Sequence, residues 1–252
     1  MPVLELPRGE VHVWRASLER PVAEVERMSS LLAEDERRRA DAFRFERDRA
    51  RYTVGRALLR GLISRYTQIS PRALEFQYGE FDKPGLAGGP SFNLAHSGPV
   101  ALYAFAAEGE IGVDVELEGK DRKGERIAER FFSPAEVGVL RSLPPERRPR
   151  AFLACWTRKE AFIKARGDGL SLALDSFDVT LVPDAPPALL RTAWCGEEPG
   201  RWQMEDLSDV RGGYVAALAL RGEVGSVVRR QISNTNTIDT IEGVTPGQER
   251  KE

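Results

Sequence analysis

An α+β fold is predicted by three features of the chain. From Leu31 to Arg65, the residues Leu31, Leu32, Phe43, Phe45, Leu58, Leu59, Leu62 and Ile63 recur among arginines as in a long helical tract. Apolar or alternating segments between Leu74 and Glu116 then read as strands. The same succession returns around Trp156, where a helix is followed by strands at Phe177 to Val182, Trp202 to Leu207 and Tyr214 to Leu220. Each half is thus a unit of helix plus antiparallel strands, the pattern of the α+β class.

Each element has a local reason. Val11 and Val13 alternate with His12 and Trp14 in a first strand, and Pro21 opens a helix carrying Val22, Val25 and Met28. Arginines crowd the tract that follows; most suit a solvated helix face, and a few are candidates to bind phosphate. Leu74 to Tyr78 reads as a strand, and the Gly- and Pro-rich stretch from Gly79 to Pro90 as a loop carrying Lys83. After S-F-N-L-A-H-S-G (Ser91 to Gly98), the apolar Val100 to Ala106 and the strand through Glu116 are joined by Glu108-Gly109-Glu110 as a hairpin. Its register would bring His96 near Glu116, although a lone His beside Ser and Gly equally suits local capping. Lys120 to Glu125 is a charged, mobile linker. Ser133-Pro134-Ala135-Glu136 has the form of a capped helix start, and Pro144, Pro145 and Pro149 break the chain before the Trp156 helix, which Gly167 ends. Pro183 to Gly200 is loop-rich, and the polar residues from Ser233 to Glu252 read as a disordered tail.

Composition narrows the class. At 252 residues the chain is long enough for one large or two small domains. A net charge of −2 gives no general affinity for nucleic acid, despite the N-terminal arginines. Cys155 and Cys195 have neither metal-ligand spacing nor a disulfide framework, which suits a reducing cytoplasm, and Cys155 reads as core. No apolar run reaches the roughly 18 residues of a membrane span, and the first ten residues lack the form of a signal peptide.

Two segments carry the chemistry. In Ile111-Gly-Val-Asp-Val-Glu116, a period of two puts Ile111, Val113 and Val115 on one face and Gly112, Asp114 and Glu116 on the other, with Gly112 leaving that face uncovered. Adjacent carboxylates repel unless a cation lies between them, and their oxygens suit a hard ion; the solvent face of a half-exposed strand would look the same. In the helix, Phe152, Leu153, Trp156 and Ile163 fall on one arc with Glu160 inside it, and Lys159 and Lys164 at its edges. A carboxylate on an apolar arc needs a cation, a metal or a simple i,i+4 lysine pair.

Taken together, F-N-L-A-H-S-G, G-V-D-V-E, F-F-S-P-A-E, W-T-R-K-E-A-F-I-K and G-D-G-L-S-L-A-L-D-S-F resemble the 4′-phosphopantetheinyl transferases of the surfactin-type, single-chain branch. The resemblance runs from the Arg-rich region to about Leu220. It implies two similar α/β halves related by a pseudo-twofold, residues 1–108 and 109–225, with coenzyme A in the cleft between them and the metal and catalytic motifs in the second. By this likeness Asp114 and Glu160 hold magnesium, or manganese in its place, with Glu116 on the ion directly or through water. Lys159 and Lys164 face the coenzyme A phosphates, His96 contacts the 3′-phosphate and pyrophosphate, Lys83-Pro84 lies beside the nucleotide, and Arg39 and Arg51 add phosphate contacts. Ala95 replaces a frequent Ser, and Asp82 the usual Gly before the Lys.

The implied reaction moves the phosphopantetheine arm of coenzyme A onto a serine of an apo acyl or peptidyl carrier protein, releasing adenosine 3′,5′-bisphosphate, as in fatty acid, polyketide, nonribosomal peptide or siderophore synthesis. Asp114, Glu160 and Lys164 are the catalytic candidates, with Glu160 taking the serine proton. The single-chain branch implies a monomer, and the cysteine usage with no span or signal peptide makes the cytoplasm the expected location. The charged Lys120 to Arg130 region is the candidate to dock an acidic carrier, with Arg122 and Lys123 the positions whose charge reversal tests it. Two other readings compete: a non-catalytic coenzyme A or carrier-binding module, which would have lost a metal ligand, and a magnesium-dependent phosphodiesterase, which would need a broad basic track.

Overall fold

The computed structural model describes residues 3–81, 83–119, 124–182, 184–209 and 211–232. Asp82, the centre of the charged linker with Arg122 and Lys123, and the tail from Ser233 lie outside the described residues.

The first half begins with β1 (Glu10–Ser17) and α1 (Val22–Ser29). The tract from Leu31 to Arg65 is divided into α2 (Glu34–Asp41) and α3 (Glu46–Thr67). The division is held by Glu36, which accepts from Ala33 N at 3.0 Å and from Nε of both Arg56 and Arg60 at 2.6 Å, fixing the short helix across the long one. Arg60 also donates to the carbonyls of Pro71 and Leu74. Leu74 is therefore buried at the end of a 3₁₀ turn, and the expected strand from Leu74 shrinks to β2 (Gln77–Tyr78), paired with β3 (Pro84–Gly85).

β4 (Ser91–Ser97) and β5 (Val100–Ala106) form a hairpin, which places His96 inside a strand. The hairpin expected between β5 and β6 (Ile111–Leu117) does not form. β5 already has β4 on one edge and β1 on the other, so its ladder is full, and the chain crosses at 107–110 into a second sheet where β6 pairs with β10 (Tyr214–Arg221). The second half continues with α4 (Gly124–Phe131), α5 (Pro134–Ser142) and α6 (Arg148–Arg166). Ser133 caps α5 as expected, and Gly167 ends α6 at φ 78°. Pro149 does not break the chain ahead of α6 but sits in its first turn, where no backbone N–H is needed.

β7 (Phe177–Val179) pairs with β8 (Leu189–Thr192), a strand in the stretch expected as loop, and β9 (Trp202–Asp206) flanks β10. β11 (Ser226–Gln231), absent from the sequence reading, runs parallel to β1 and returns the chain to the first sheet. The two main sheets are thus β11-β1-β5-β4 and β6-β10-β9.

Period-two alternation arranges the layers. Ala101, Tyr103 and Phe105 of β5 pack with Val54, Leu58 and Ile63 of α3, while Leu102 and Ala104 join Ile111, Val113, Val115, Ala216 and Leu218 in a core between the sheets. Val215, Ala217 and Ala219 of β10 turn the other way, into the core of α6. The order is helix, sheet, sheet, helix, and β6 exposes its carboxylate face to α6. Among the described residues no helix is long and apolar enough to cross a membrane.

Candidate active site

Gly112 is the hinge of the site's construction. A Cβ there would collide with Ala161 O and Ala165 N, so the glycine does not leave its face open but lets α6 lie directly on β6. That close approach brings Lys164 Nζ to 2.6 Å from Asp114 Oδ1. Asp114 is 6% exposed, and its second oxygen, Oδ2, is buried without a hydrogen-bond partner. Burial, above all, lifts the Asp114 carboxyl to about 6; Lys164 opposes the shift, while Glu160 and Glu116 add to it. Glu160, half-buried on α6, is raised too, first by burial and then by Glu116, again against Lys164.

Glu116, at the open end of β6, accepts from Ser97 Oγ at 2.8 Å, and the same hydroxyl accepts from Leu117 N. Ser97 was not singled out in the sequence, although it sits in the N-L-A-H-S-G stretch. So does Asn93, whose Oδ1 accepts from Val113 N and satisfies the free edge of β6. His96 is exposed on β4, and its neighbour Ser97 makes the bond to Glu116.

The structure gathers Lys83, Pro84, Asn93, Glu160 and Lys164 around a cleft of 280 Å³. Lys83 Nζ donates to Ile111 O and Ala165 O, and burial lowers its pKa to about 8 against the pull of Glu110. Arg39 lies over the Tyr52 ring and Arg51 bonds Glu19, both on the helical side of the first sheet. A separate cleft of 460 Å³ beyond Glu118 is crossed by the Arg148–Glu125 and Arg150–Glu118 pairs.

Lys159 does not belong to this group. It is 0% exposed, and its Nζ donates to Leu174 O and Phe177 O and pairs with Glu136 at 2.8 Å. Three acceptors satisfy its three N–H bonds, so no donor is left for a phosphate. The expectation failed because α6 is buried around most of its circumference, and an edge of the apolar arc is not an edge of the helix surface.

Among the described residues no three His, Cys, Asp or Glu side chains stand close enough to hold a metal ion as they are placed. The donor chemistry nevertheless fits a hard cation: Asp114 keeps a buried oxygen without a partner, Glu160 and Glu116 add to the raised proton affinity of Asp114, and Glu116 adds to that of Glu160. Oxygen donors beside an ammonium group are the equipment of a phosphoryl-handling site.

Comparison with known proteins agrees. Residues 110–219 match the model of the 4′-phosphopantetheinyl transferase superfamily, and residues 4–108 that of the 4′-phosphopantetheinyl transferase N-terminal region. The 4′-phosphopantetheinyl transferase HetI of Nostoc is 39% identical over 197 residues, covering 76% of this chain and 82% of its own. Sfp of Bacillus subtilis is 36% identical over 176 residues, 68% of this chain and 77% of its own. AcpT of Salmonella typhi is 36% identical over 149 residues, 58% and 71%. The chain belongs to the 4′-phosphopantetheinyl transferase family, of the Sfp-like type, and is a transferase of that kind.

Proposed function

We propose that the cleft beside Asp114 binds coenzyme A and that the chain moves its phosphopantetheine arm to a serine of an apo acyl or peptidyl carrier protein. The observation that carries this reading is the Asp114 carboxylate, pinned by Lys164 on one oxygen and left with a buried, unpartnered oxygen on the other. A buried orphan acceptor costs about 1–3 kcal/mol, a cost retained where an ion or ligand supplies the missing partner. Asp114, Glu160 and Glu116 would hold magnesium, which when bound offsets charge on the pyrophosphate. Lys164 and His96 bind phosphate oxygens, Pro84 lies beside the nucleotide, and Arg39 and Arg51 add further phosphate contacts.

Glu160 accepts the serine proton, directly or through a water; its raised proton affinity brings it closer to the working range of a general base. The serine oxygen bonds to the phosphorus bearing the pantetheine arm, and the phosphoanhydride bond breaks. The electron pair leaves on adenosine 3′,5′-bisphosphate, so bonds and charge balance.

The same reading takes residues 1–108 and 109–225 as similar halves. In support, a carboxylate in the first turn of a short helix, Glu36 in α2 and Glu136 in α5, accepts from the backbone three residues back and from a cation on the next long helix. That cation in turn donates to carbonyls of a following 3₁₀ turn. Halves that already enclose the cleft suit a monomer, and free thiols at Cys155 and Cys195 suit the cytoplasm.

The test is intact mass spectrometry of an apo carrier protein incubated with the chain, coenzyme A and magnesium. A gain of one phosphopantetheine arm, lost with EDTA and reduced about 10³-fold in Asp114→Ala, is expected. Near wild-type turnover in Glu160→Gln would remove its assignment as base, and no gain with any carrier would leave a binding module.

A further inference from the structure

We propose that Lys83 is a positioning residue: its ammonium latches the wall of the nucleotide cleft to the helix that carries Glu160 and Lys164, and does not bind phosphate. The inference rests on the coenzyme A reading and deepens it. Lys83 stands just before β3, in the first half of the chain, yet its Nζ donates to Ala165 O at 2.9 Å and Ile111 O at 3.1 Å, both in the second. Ala165 lies in the last turn of α6, whose terminal carbonyls have no helical partner and attract a cation. Ile111 is the first residue of β6, three positions before Asp114. One side chain therefore ties the β2–β3 loop to both elements that present the acids.

The aromatic neighbour reinforces the contact. A Cβ on Gly169 would lie 2.6 Å from the Phe81 ring, and one on Gly167 3.8 Å from Lys83 Cδ, so the loop rests on the turn that ends α6. Phe81, Lys83, Pro84 and Gly167 line both the 280 Å³ cleft beside Glu160 and a 470 Å³ cleft on the loop's other side. Moving this wall changes the space for the nucleotide while leaving Asp114 and Lys164 bonded. A lysine with two N–H bonds fixed on carbonyls is poorly disposed to follow a phosphate, and burial already disfavours its charge.

Lys83→Met tests the latch. It should raise the KM for coenzyme A about tenfold, because a loosened wall has to be ordered again on binding, with kcat within about twofold. By calorimetry, adenosine 5′-monophosphate and adenosine 3′,5′-bisphosphate should weaken by the same factor. Amide exchange in residues 79–90 of the ligand-free protein should accelerate. Weakening confined to the bisphosphate would make Lys83 a phosphate ligand and overturn the proposal, as would unchanged exchange. If Lys83→Met does not fold, Gly169→Ala, which displaces Phe81, should give the same common weakening and the same loosened loop, and failure to do so counts against the latch. If the wild type transfers no arm to any carrier, the coenzyme A reading fails, and the exchange measurement still decides the latch.

Discussion

Two carboxylate–lysine pairs share helix α6 and have opposite characters. Glu136 and Lys159 are 3% and 0% exposed; Glu136 also accepts from the backbone of Ser133 and Val179, and Lys159 fills its remaining donors with two carbonyls. Asp114 and Lys164 meet at 2.6 Å, but the lysine side chain is 31% exposed and Asp114 Oδ2 has no partner. Five residues apart, the two lysines point about 140° away from each other around the helix. The first pair is closed and holds α5 and the 3₁₀ turn to α6. The second is left incomplete, facing the cleft. The completed network holds the fold together, whereas the missing partner at Asp114 calls for an explanation, which an ion or ligand at the cleft would supply.

The largest contrast is expected from removing each lysine. Lys159→Met strands Glu136 in the core; breaking a buried pair costs about 3–5 kcal/mol, which for a chain of this size lowers Tm by roughly 6–20 °C. The fraction that stays folded should transfer at close to the wild-type rate. Lys164→Met should shift Tm by only a few degrees, because Asp114 can neutralise itself by taking a proton, but should slow transfer about 10²-fold. Calorimetry and single-turnover transfer on both variants decide it. Equal melting losses, or a Lys159→Met protein that melts normally and loses coenzyme A affinity, would erase the distinction.

That distinction was only half legible in the sequence. The alternation of Ile111 to Glu116 places Asp114 and Glu116 on one face because a strand's period is local and unconditional, and α6 does meet that face. The Ser133 cap and the Gly167 stop were readable for the same reason, since each depends on a few adjacent residues. Lys159 was misplaced because its burial depends on carbonyls 15 and 18 residues away and on Glu136, none of which a helical wheel contains. The β5–β6 hairpin failed similarly: strand partners come from the whole chain, and β1 and β10 outcompete the sequence neighbour. The family resemblance names the acids as candidates, and the packing of Gly112 against Ala161 and Ala165 shows how Asp114 comes to stand beside Lys164.

Lys83 adds a third, intermediate lysine, and pH sharpens its place. Its folded pKa is lowered to about 8 from 10.5, chiefly by burial. The unfolded chain therefore binds more protons between those values, so this group's contribution to stability rises with pH across the window from about 8 to 10.5 and is least favourable below it. The difference in unfolding free energy between wild type and Lys83→Met should change by roughly 3 kcal/mol over that window, wild type gaining. Denaturant melts of both proteins at pH 7.5, 9 and 10.5 would show it, the difference cancelling the titration of other groups. A flat difference would place the Lys83 ammonium in solvent, off the carbonyls of Ile111 and Ala165.

The smallest effect concerns the third acid. Glu116 is neither closed like Glu136 nor orphaned like Asp114: Ser97 Oγ donates to it and at the same time accepts from Leu117 N. The hydroxyl thus sets where the carboxylate points by anchoring it to the backbone of its own strand. Ser97→Ala removes both bonds, about 1 kcal/mol of orientation, while the β6–β10 ladder keeps Leu117 in register with Tyr214. If Glu116 serves the ion, the magnesium midpoint for transfer should rise about fivefold, with the KM for coenzyme A at saturating magnesium unchanged. Direct magnesium titration by calorimetry should show the same shift without any turnover. An unchanged midpoint in both would place Glu116 with Glu136, as a carboxylate that closes a strand end, and leave Asp114 and Glu160 as the acids that remain for an ion.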